Sequence, residues 1–415
     1  MPTHIKTINP CVWLFLTLVA SSQFAFAGDW PQVLGPQRNG QSTESLGDWQ
    51  VRPAILWQKP LGSGYAGPAV VNNRVVIFHR IATEEILEAC DTSTGNTIWK
   101  ASFSTNYRPA IDPDGGPRCV PLIEGNRVFT FGAAGNVCCA ELETGKSVWQ
   151  RPLRAEVDAP DGYFGAGSSP LLIDGVLVIC AGGKEGAVVG LSPDDGKILW
   201  KSGSMEAAYA SPVTIEIAGK PLALCVLRFE AILVRPANGE IVARIAFGAR
   251  GPTVNAATPL VEGAESFLTA SYGIGGKAIA WNDSPKIIWQ NDQSISSQYV
   301  TPLKLNEYII GIDGRYDVGS PSLRCIRWRD GQVQWTQADF GTAHLIGTQA
   351  NWLSLENEGT LTLFSASIAA YKPQGKFKLP GGTYRALPAL SNGVLYCRST
   401  DANGTGILIA LRVGN

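Results

Sequence analysis

The sequence predicts an all-β fold: an eight-bladed β-propeller of four-stranded antiparallel blades, closed by an N-terminal strand that completes the last blade. Three observations lead there. A segment closing on an aromatic recurs, as ACDTSTGNTIW ending at Trp99, CAELETGKSVW at Trp149, GLSPDDGKILW at Trp200, AWNDSPKIIW at Trp289 and CIRWRDGQVQW at Trp335. Weaker copies end at Ala243 (LVRPANGEIVA) and Leu379 (AAYKPQGKFKL), and counted from Trp57 the intervals run from 42 to 51 residues. Units of that length with four strands are propeller blades. Between the closing segments lie three short apolar runs separated by Asn/Asp-Gly or Gly-rich turns, as in SSPLLIDGVLVICAGGKEGAVVGLSPDDGKILW, which reads as a meander of hairpins. The ends of the chain supply the count. RALPALSNGVLYCRSTDANGTGILIALRVGN has three strands and no closing segment, whereas PAILWQKPL is a lone closing strand with Trp57. Joining them makes an eighth blade and removes an open sheet edge.

Composition agrees with many turns around a large core: 415 residues, 45% hydrophobic, with 46 Gly and 26 Pro. Lys and Arg number 34 against 35 Asp and Glu, so no net field attracts nucleic acid or an anionic membrane. At the N-terminus, His4 and Lys6 precede the apolar run CVWLFLTLVA, and Ala25-Phe26-Ala27 gives a small-x-small end. Residues 1–27 are therefore expected to be a signal peptide, and the product to be periplasmic or secreted. No later run reaches the roughly 18 apolar residues of a membrane-spanning helix, so no transmembrane segment is expected. Residues 28–53, with Trp30 and Trp49, are expected to form an irregular arm lying on the propeller of residues 54–415, because indoles are costly to leave in water.

The eight cysteines after residue 27 include Cys180, Cys225 and Cys397 in apolar strand-like runs, where a thiol behaves as a small hydrophobe. Cys138 and Cys139 are adjacent in a third strand. Strand neighbours point to opposite faces, and Cα atoms about 3.8 Å apart fall short of the usual disulfide range, so no bond is expected between them. Cys139 takes the small-residue slot also assigned to Ala89, Gly190, Cys325 and Ala369.

Taking the residue three before the Pro that opens each innermost strand, or its equivalent, gives Tyr65, Arg118, Gly167, Tyr209, Ala256, Tyr299, His344 and Arg385. The candidate ligand-binding ring at the channel mouth is thus Tyr65, Arg118, Tyr209, Tyr299, His344 and Arg385, suited to an anionic or aromatic ligand through Arg forks and Tyr faces. The inter-blade loops add Asp112, Asp114, Asp158, Asp161 and Tyr163, and DGRYDVGS adds Asp313, Arg315 and Asp317. Asp112-x-Asp114 lacks the further oxygens of a calcium loop, so turn chemistry explains it and no metal site is assigned. With His79 and His344 in different blades, a His-based zinc site is not expected either. No nucleophile elbow or phosphate loop occurs, and no catalytic residue is assigned.

Ala89-Cys90-Asp91 with Thr94-Gly95 and Trp99 matches the signature of the pyrroloquinoline-quinone (PQQ) repeat family, which the chain resembles over residues 54–412. The resemblance implies that Trp57, Trp99, Trp149, Trp200, Trp289 and Trp335 are structural, each docking on the neighbouring blade, and that the blades of Ala243 and Leu379 pack least tightly. It also implies two outcomes. Quinoprotein dehydrogenases of this repeat family hold a calcium-bound PQQ in long inter-blade insertions, and the short intervals here leave little room for them. The compact form is similar to the propeller subunit of the outer-membrane β-barrel assembly machinery, a scaffold that binds no quinone. The expectation is an extracytoplasmic, monomeric scaffold taking a protein partner or small ligand on its loop-rich face, with no cofactor. The alternative is a PQQ- and calcium-dependent alcohol or sugar dehydrogenase.

Overall fold

A computed structural model of the chain describes residues 1, 28–46, 49, 52–282 and 284–414. The expected signal segment, residues 2–27, lies outside the described residues. The described residues form eight four-stranded antiparallel sheets arranged as an eight-bladed propeller. Blades one to seven are consecutive in sequence, beginning with Ala69–Val71, Arg74–Ile81, Glu84–Asp91 and Thr97–Ser104. Blade eight takes Ala389–Ser391, Val394–Thr400 and Gly406–Arg412 from the C-terminal end, and its outermost strand, Ala54–Leu61, from the N-terminal side.

One local device repeats between blades. The closing Trp of one blade lays its indole on the turn that precedes the last strand of the next. Its Nε1 donates to a carbonyl of that turn: Trp57 to Thr92 (2.9 Å), Trp99 to Leu142 (2.8 Å), Trp149 to Pro193 (2.9 Å), Trp200 to Pro236 (2.7 Å) and Trp289 to Trp328 (2.7 Å). Three residues after each acceptor stands a glycine at positive φ, such as Gly196 at φ +70°, where an added Cβ would lie 2.6 Å from the Trp149 ring. The Thr-Gly part of the repeat is therefore a left-handed turn pressed against an aromatic plane, a site that only glycine fills without strain. Full burial of an indole is worth at most roughly 4–6 kcal/mol by area.

A bulge lies beside the Trp position of every blade, shifting register at Ile55/Trp57, Ala89/Cys90, Cys139/Ala140, Gly190/Leu191, Leu233/Val234, Ala278/Ile279, Cys325/Ile326 and Leu363/Phe364. It corrects one expectation. In blade seven Leu363 pairs with Gly375, so Gly375 and Leu363, not Leu379 and Ala369, occupy the closing and small-residue slots. Twelve residues separate that pair where ten separate Cys139 from Trp149, and the longer turn made Gly375 look like the turn glycine. The weakly marked interfaces are filled by other rings. Ala243 packs in a cluster with Trp281 of blade five, 1% exposed. Trp49 of the arm lies 3.2 Å from where a Cβ of Gly375 would be and donates to Val413 O at 2.9 Å. Trp335 packs with Tyr371 on a separate cluster between blades six and seven, with its indole N–H buried and unpartnered.

Cys138 and Cys139 point to opposite faces, Cys138 into the core shared with Trp99 and Cys139 into that shared with Trp149. Burial pushes both thiols up, Cys139 to about 12, so neither is a thiolate near neutral pH.

Residues 28–46 strap the face that carries the first-to-second strand turns. Trp30 exchanges backbone bonds with Val70, Pro31 O accepts from Ile123 N, Arg38 donates to Pro170 O, Gln41 donates to Lys304 O, and Glu44 accepts from the amides of Asn392 and Gly393. Blades one, two, three, six and eight are thereby tied to one segment.

The closing strand is latched to blade one by a buried polar cluster. Gly62 N donates to His79 Nδ1 at 3.0 Å, which leaves the proton on Nε2 to bond Glu88 at 3.1 Å. Glu88 also takes Lys59 of the closing strand at 3.1 Å and the Thr97 hydroxyl at 2.6 Å.

Two predictions follow from these contacts. Gly196→Ala adds a methyl against the Trp149 ring and keeps φ positive, so it should cost about 2–4 kcal/mol in urea unfolding. Gly219→Ala, at φ +72° with nothing within 4 Å, should cost only about 1–2 kcal/mol; equal losses would deny the ring contact its role. The second prediction concerns acid. Burial alone would raise the Glu88 carboxyl, but the bonds from His79, Thr97 and Lys59 hold it at about 2, under its ordinary 4.5, while burial lowers His79. Both groups therefore stabilise the latch fully above their unfolded values and lose that contribution as pH falls, His79 first, then Glu88 from about 4.5 toward 2. Glu88→Gln should lower the unfolding temperature at pH 7 and flatten its fall between pH 4.5 and 2.

Candidate functional site

The innermost strands begin at the face opposite the strap, and the residues just before them ring the channel. All eight positions, Tyr65, Arg118, Gly167, Tyr209, Ala256, Tyr299, His344 and Arg385, line one cavity of about 640 Å³. Two residues further along, Ser169, Ser211, Thr258 and Thr301 line it below the ring. Their hydroxyls form a belt across five blades: Val120 N donates to Ser169 Oγ (3.0 Å), Ser169 N to Ser211 Oγ (2.9 Å), Ser211 N to Thr258 Oγ1 (3.3 Å) and Thr258 N to Thr301 Oγ1 (2.9 Å). Val33 of the strap reaches the same cavity, giving it an apolar floor.

The ring is organised by guanidinium–aromatic contacts. Arg385 lies over Tyr65 (4.9 Å), Tyr316 (5.0 Å) and Tyr299 (5.5 Å), and Arg118 lies over Tyr65 and Phe164, both at 5.4 Å. Tyr65 is thus held between two cations, a contact worth of order 1–2 kcal/mol where water is partly excluded. Both guanidiniums face Asp112 Oδ2, at 3.5 Å from Arg385 and 3.7 Å from Arg118. Across the mouth Arg315 lies over Tyr272 at 4.3 Å and pairs with Asp317. The Tyr209 hydroxyl accepts from Phe164 N at 2.9 Å, and Gly167 leaves room for that ring, since a Cβ there would lie 2.7 Å from it. Asn357 donates to the Tyr299 hydroxyl at 2.6 Å.

Proton chemistry is muted on this wall. Burial raises the phenols of Tyr65, Tyr209 and Tyr299, so they stay protonated. Burial lowers His344 to about 4, leaving a neutral imidazole whose Nε2 bonds Arg385 O at 2.8 Å. A base near neutral pH is what proton abstraction needs, and neither residue type supplies one here. The wall carboxylates Asp112 and Asp317 are both paired with arginines. Among the described residues no three His, Cys, Asp or Glu side chains converge as a metal site. A calcium-bound quinone, which needs several free oxygen ligands, does not fit this donor set.

Other acidic candidates sit elsewhere. Asp114 is buried and accepts from the amides of Gly64 and Gly116, both at 2.8 Å, so it staples its loop. Asp158 pairs with Lys184, Asp161 with Arg154 and Asp313 with Arg324, and none of the three lines the cavity. Tyr163, Arg315 and Asp317 do line it. Sequence reasoning missed Tyr272, Tyr316, Phe164 and Gln298; an aromatic in the second-to-third strand turn, aligned across blades, was the available signal for the first two.

Asp114→Ala should leave two amides unpaired and cost about 1–3 kcal/mol, with faster hydrogen exchange at Gly64 and Gly116; unchanged exchange there would remove its stapling role.

Outer membrane protein assembly factor BamB of Yersinia pestis is 24% identical over 274 residues, covering 60% of this chain and 65% of that protein. The chain spans less than two thirds of the length of the curated relatives it matches. Among solved structures, BamB from Moraxella catarrhalis superposes with a TM-score of 0.62 at 12% identity, covering 87% of this chain and 98% of that one. A europium-containing methanol dehydrogenase superposes at 0.66 with 10% identity, covering 94% and 98%. At those identities the structures share the fold alone. Residues 82–337, more than half of the chain, match the family described as outer membrane protein assembly factor BamB, and the protein belongs to that family of PQQ-repeat propellers.

Proposed function

We propose that the protein is a non-catalytic, extracytoplasmic propeller that binds a partner or small ligand at its loop-rich mouth. The observation that carries this reading is the cavity wall itself, where three guanidiniums are oriented by aromatic rings while the imidazole and phenols are kept out of the neutral titration range. Such a wall is built to recognise rather than to move protons. Membership of a family described as an assembly factor supports the same side. The export-type N-terminus supports the location. No transmembrane helix is required by it: no helix among the described residues is long and apolar enough to cross a membrane.

The second reading, a quinoprotein oxidoreductase, is supported by one observation, a 1-butanol dehydrogenase (cytochrome c) of Thauera butanivorans that is 26% identical over 224 residues, covering 46% of this chain and 30% of that protein. Titration of the purified protein with PQQ and Ca²⁺, followed by quinone absorbance and a dye-linked assay over alcohols and sugars, separates the two. The expected result is neither saturable quinone binding nor turnover. Turnover would overturn the scaffold reading.

A further inference from the structure

We propose that Arg118 and Arg385 form a receptor for the carboxylate of a small organic acid, and that the chain's own Asp112 fills that place when no acid is bound. This deepens the binding reading above and rests on the mouth being where ligands enter. The cavity of about 640 Å³ falls within the roughly 300–1,000 Å³ of small-molecule sites. Val33 of the strap lines it from the face opposite the mouth.

The chemistry follows from what the two guanidiniums have left to offer. Their faces are spent on rings, Arg118 on Tyr65 and Phe164, and Arg385 on Tyr65, Tyr299 and Tyr316. A guanidinium anchored by its face presents its in-plane N–H groups, and a carboxylate is the planar acceptor that matches them. Arg118 uses some of these donors on the carbonyls of Gly116 and Asp114, at 3.2 and 3.4 Å. The nearby carboxylate is Asp112, whose Oδ2 stands at 3.5 and 3.7 Å, well beyond the roughly 2.7–2.9 Å of a charge-assisted hydrogen bond. One carboxylate thus answers two cations, and at a distance that satisfies neither.

Asp112 is also placed to yield. It lies in the segment between Thr97–Ser104 and Leu122–Glu124 that forms no strand, beside Ile111, which is 63% exposed. The loop does not depend on its charge, because Asp114 supplies the staple to Gly64 and Gly116. Its other oxygen, Oδ1, accepts from Asp114 N at 2.9 Å, a bond that asparagine retains. An incoming carboxylate that approaches both forks edge-on would therefore displace a loosely held surrogate without undoing the loop.

Calorimetric titration at low ionic strength tests this with glucuronate and citrate as probes, glucose as the uncharged control and inorganic phosphate as the competing anion. Asp112→Asn removes the internal negative charge and should tighten carboxylate binding about tenfold over the unsubstituted protein. Arg385→Gln and, separately, Arg118→Gln placed in that background should each abolish the gain, and glucose should bind neither protein. Equal affinity in the Asp112→Asn protein and the unsubstituted one, survival of binding without Arg385 and Arg118, or phosphate binding as tightly as the carboxylates would each overturn the proposal. Quinone turnover alongside intact carboxylate binding would remove only the scaffold reading. Absence of carboxylate binding without turnover would remove only this one.

Discussion

The contact on which the ring depends is an indole laid against a glycine turn of the next blade. It has two halves that belong to different blades, so each blade is only as well placed as its neighbour allows. Where one half is missing, the interface is filled in another way. Where blade four has Ala243 in place of Trp, the next turn has Pro285 in place of Gly, and Trp281 packs in the same cluster as Ala243. Where blade seven has Tyr371 at the turn position, Trp335 keeps its ring in the interface but its N–H finds no acceptor. Where blade seven has Gly375 at the closing position, the arm supplies Trp49 in trans. An aromatic plane is required at each interface, and its covalent origin is negotiable.

This explains which parts of the architecture were legible in the sequence. Trp and Gly at fixed offsets are a physical pair read directly from spacing, and the split eighth blade follows from counting strands at both ends. Blade seven was misread because its turn is longer and its glycine sits in the Trp slot, so a motif search found the right residue type in the wrong role. The mouth positions were legible because Pro fixes the start of each innermost strand and thereby the residue three before it. Tyr272 and Tyr316 were legible only through the second-to-third strand turns aligned across blades, and Val33 was not legible, since it reaches the cavity from the strap and no periodicity within a blade encodes where a distant segment lands.

The adjacent cysteines follow the same logic. Alternation along a strand sends Cys138 to one inter-blade core and Cys139 to the next. A bond between them would pull both side chains out of packed interfaces and break the strand that faces Trp149. Their burial raises both thiols, so the environment that explains them as packing residues also withholds the thiolate that redox chemistry requires.

The strap and the buried wall act together on the channel. A propeller closed only by its blades has an axis open at both faces, through which water screens every charge on the wall. Here Trp30, Pro31, Arg38, Gln41 and Glu44 tie one segment across several blades, and Val33 of that segment lines the cavity. The guanidiniums at the mouth lie partly out of water, Arg118 14% and Arg385 25% exposed at the side chain, where charge interactions exceed those on an open surface. The same exclusion of water lowers His344 to about 4 and raises the phenols. A single constraint, burial of the wall, therefore strengthens it as a recogniser of charge and weakens it as a donor or acceptor of protons.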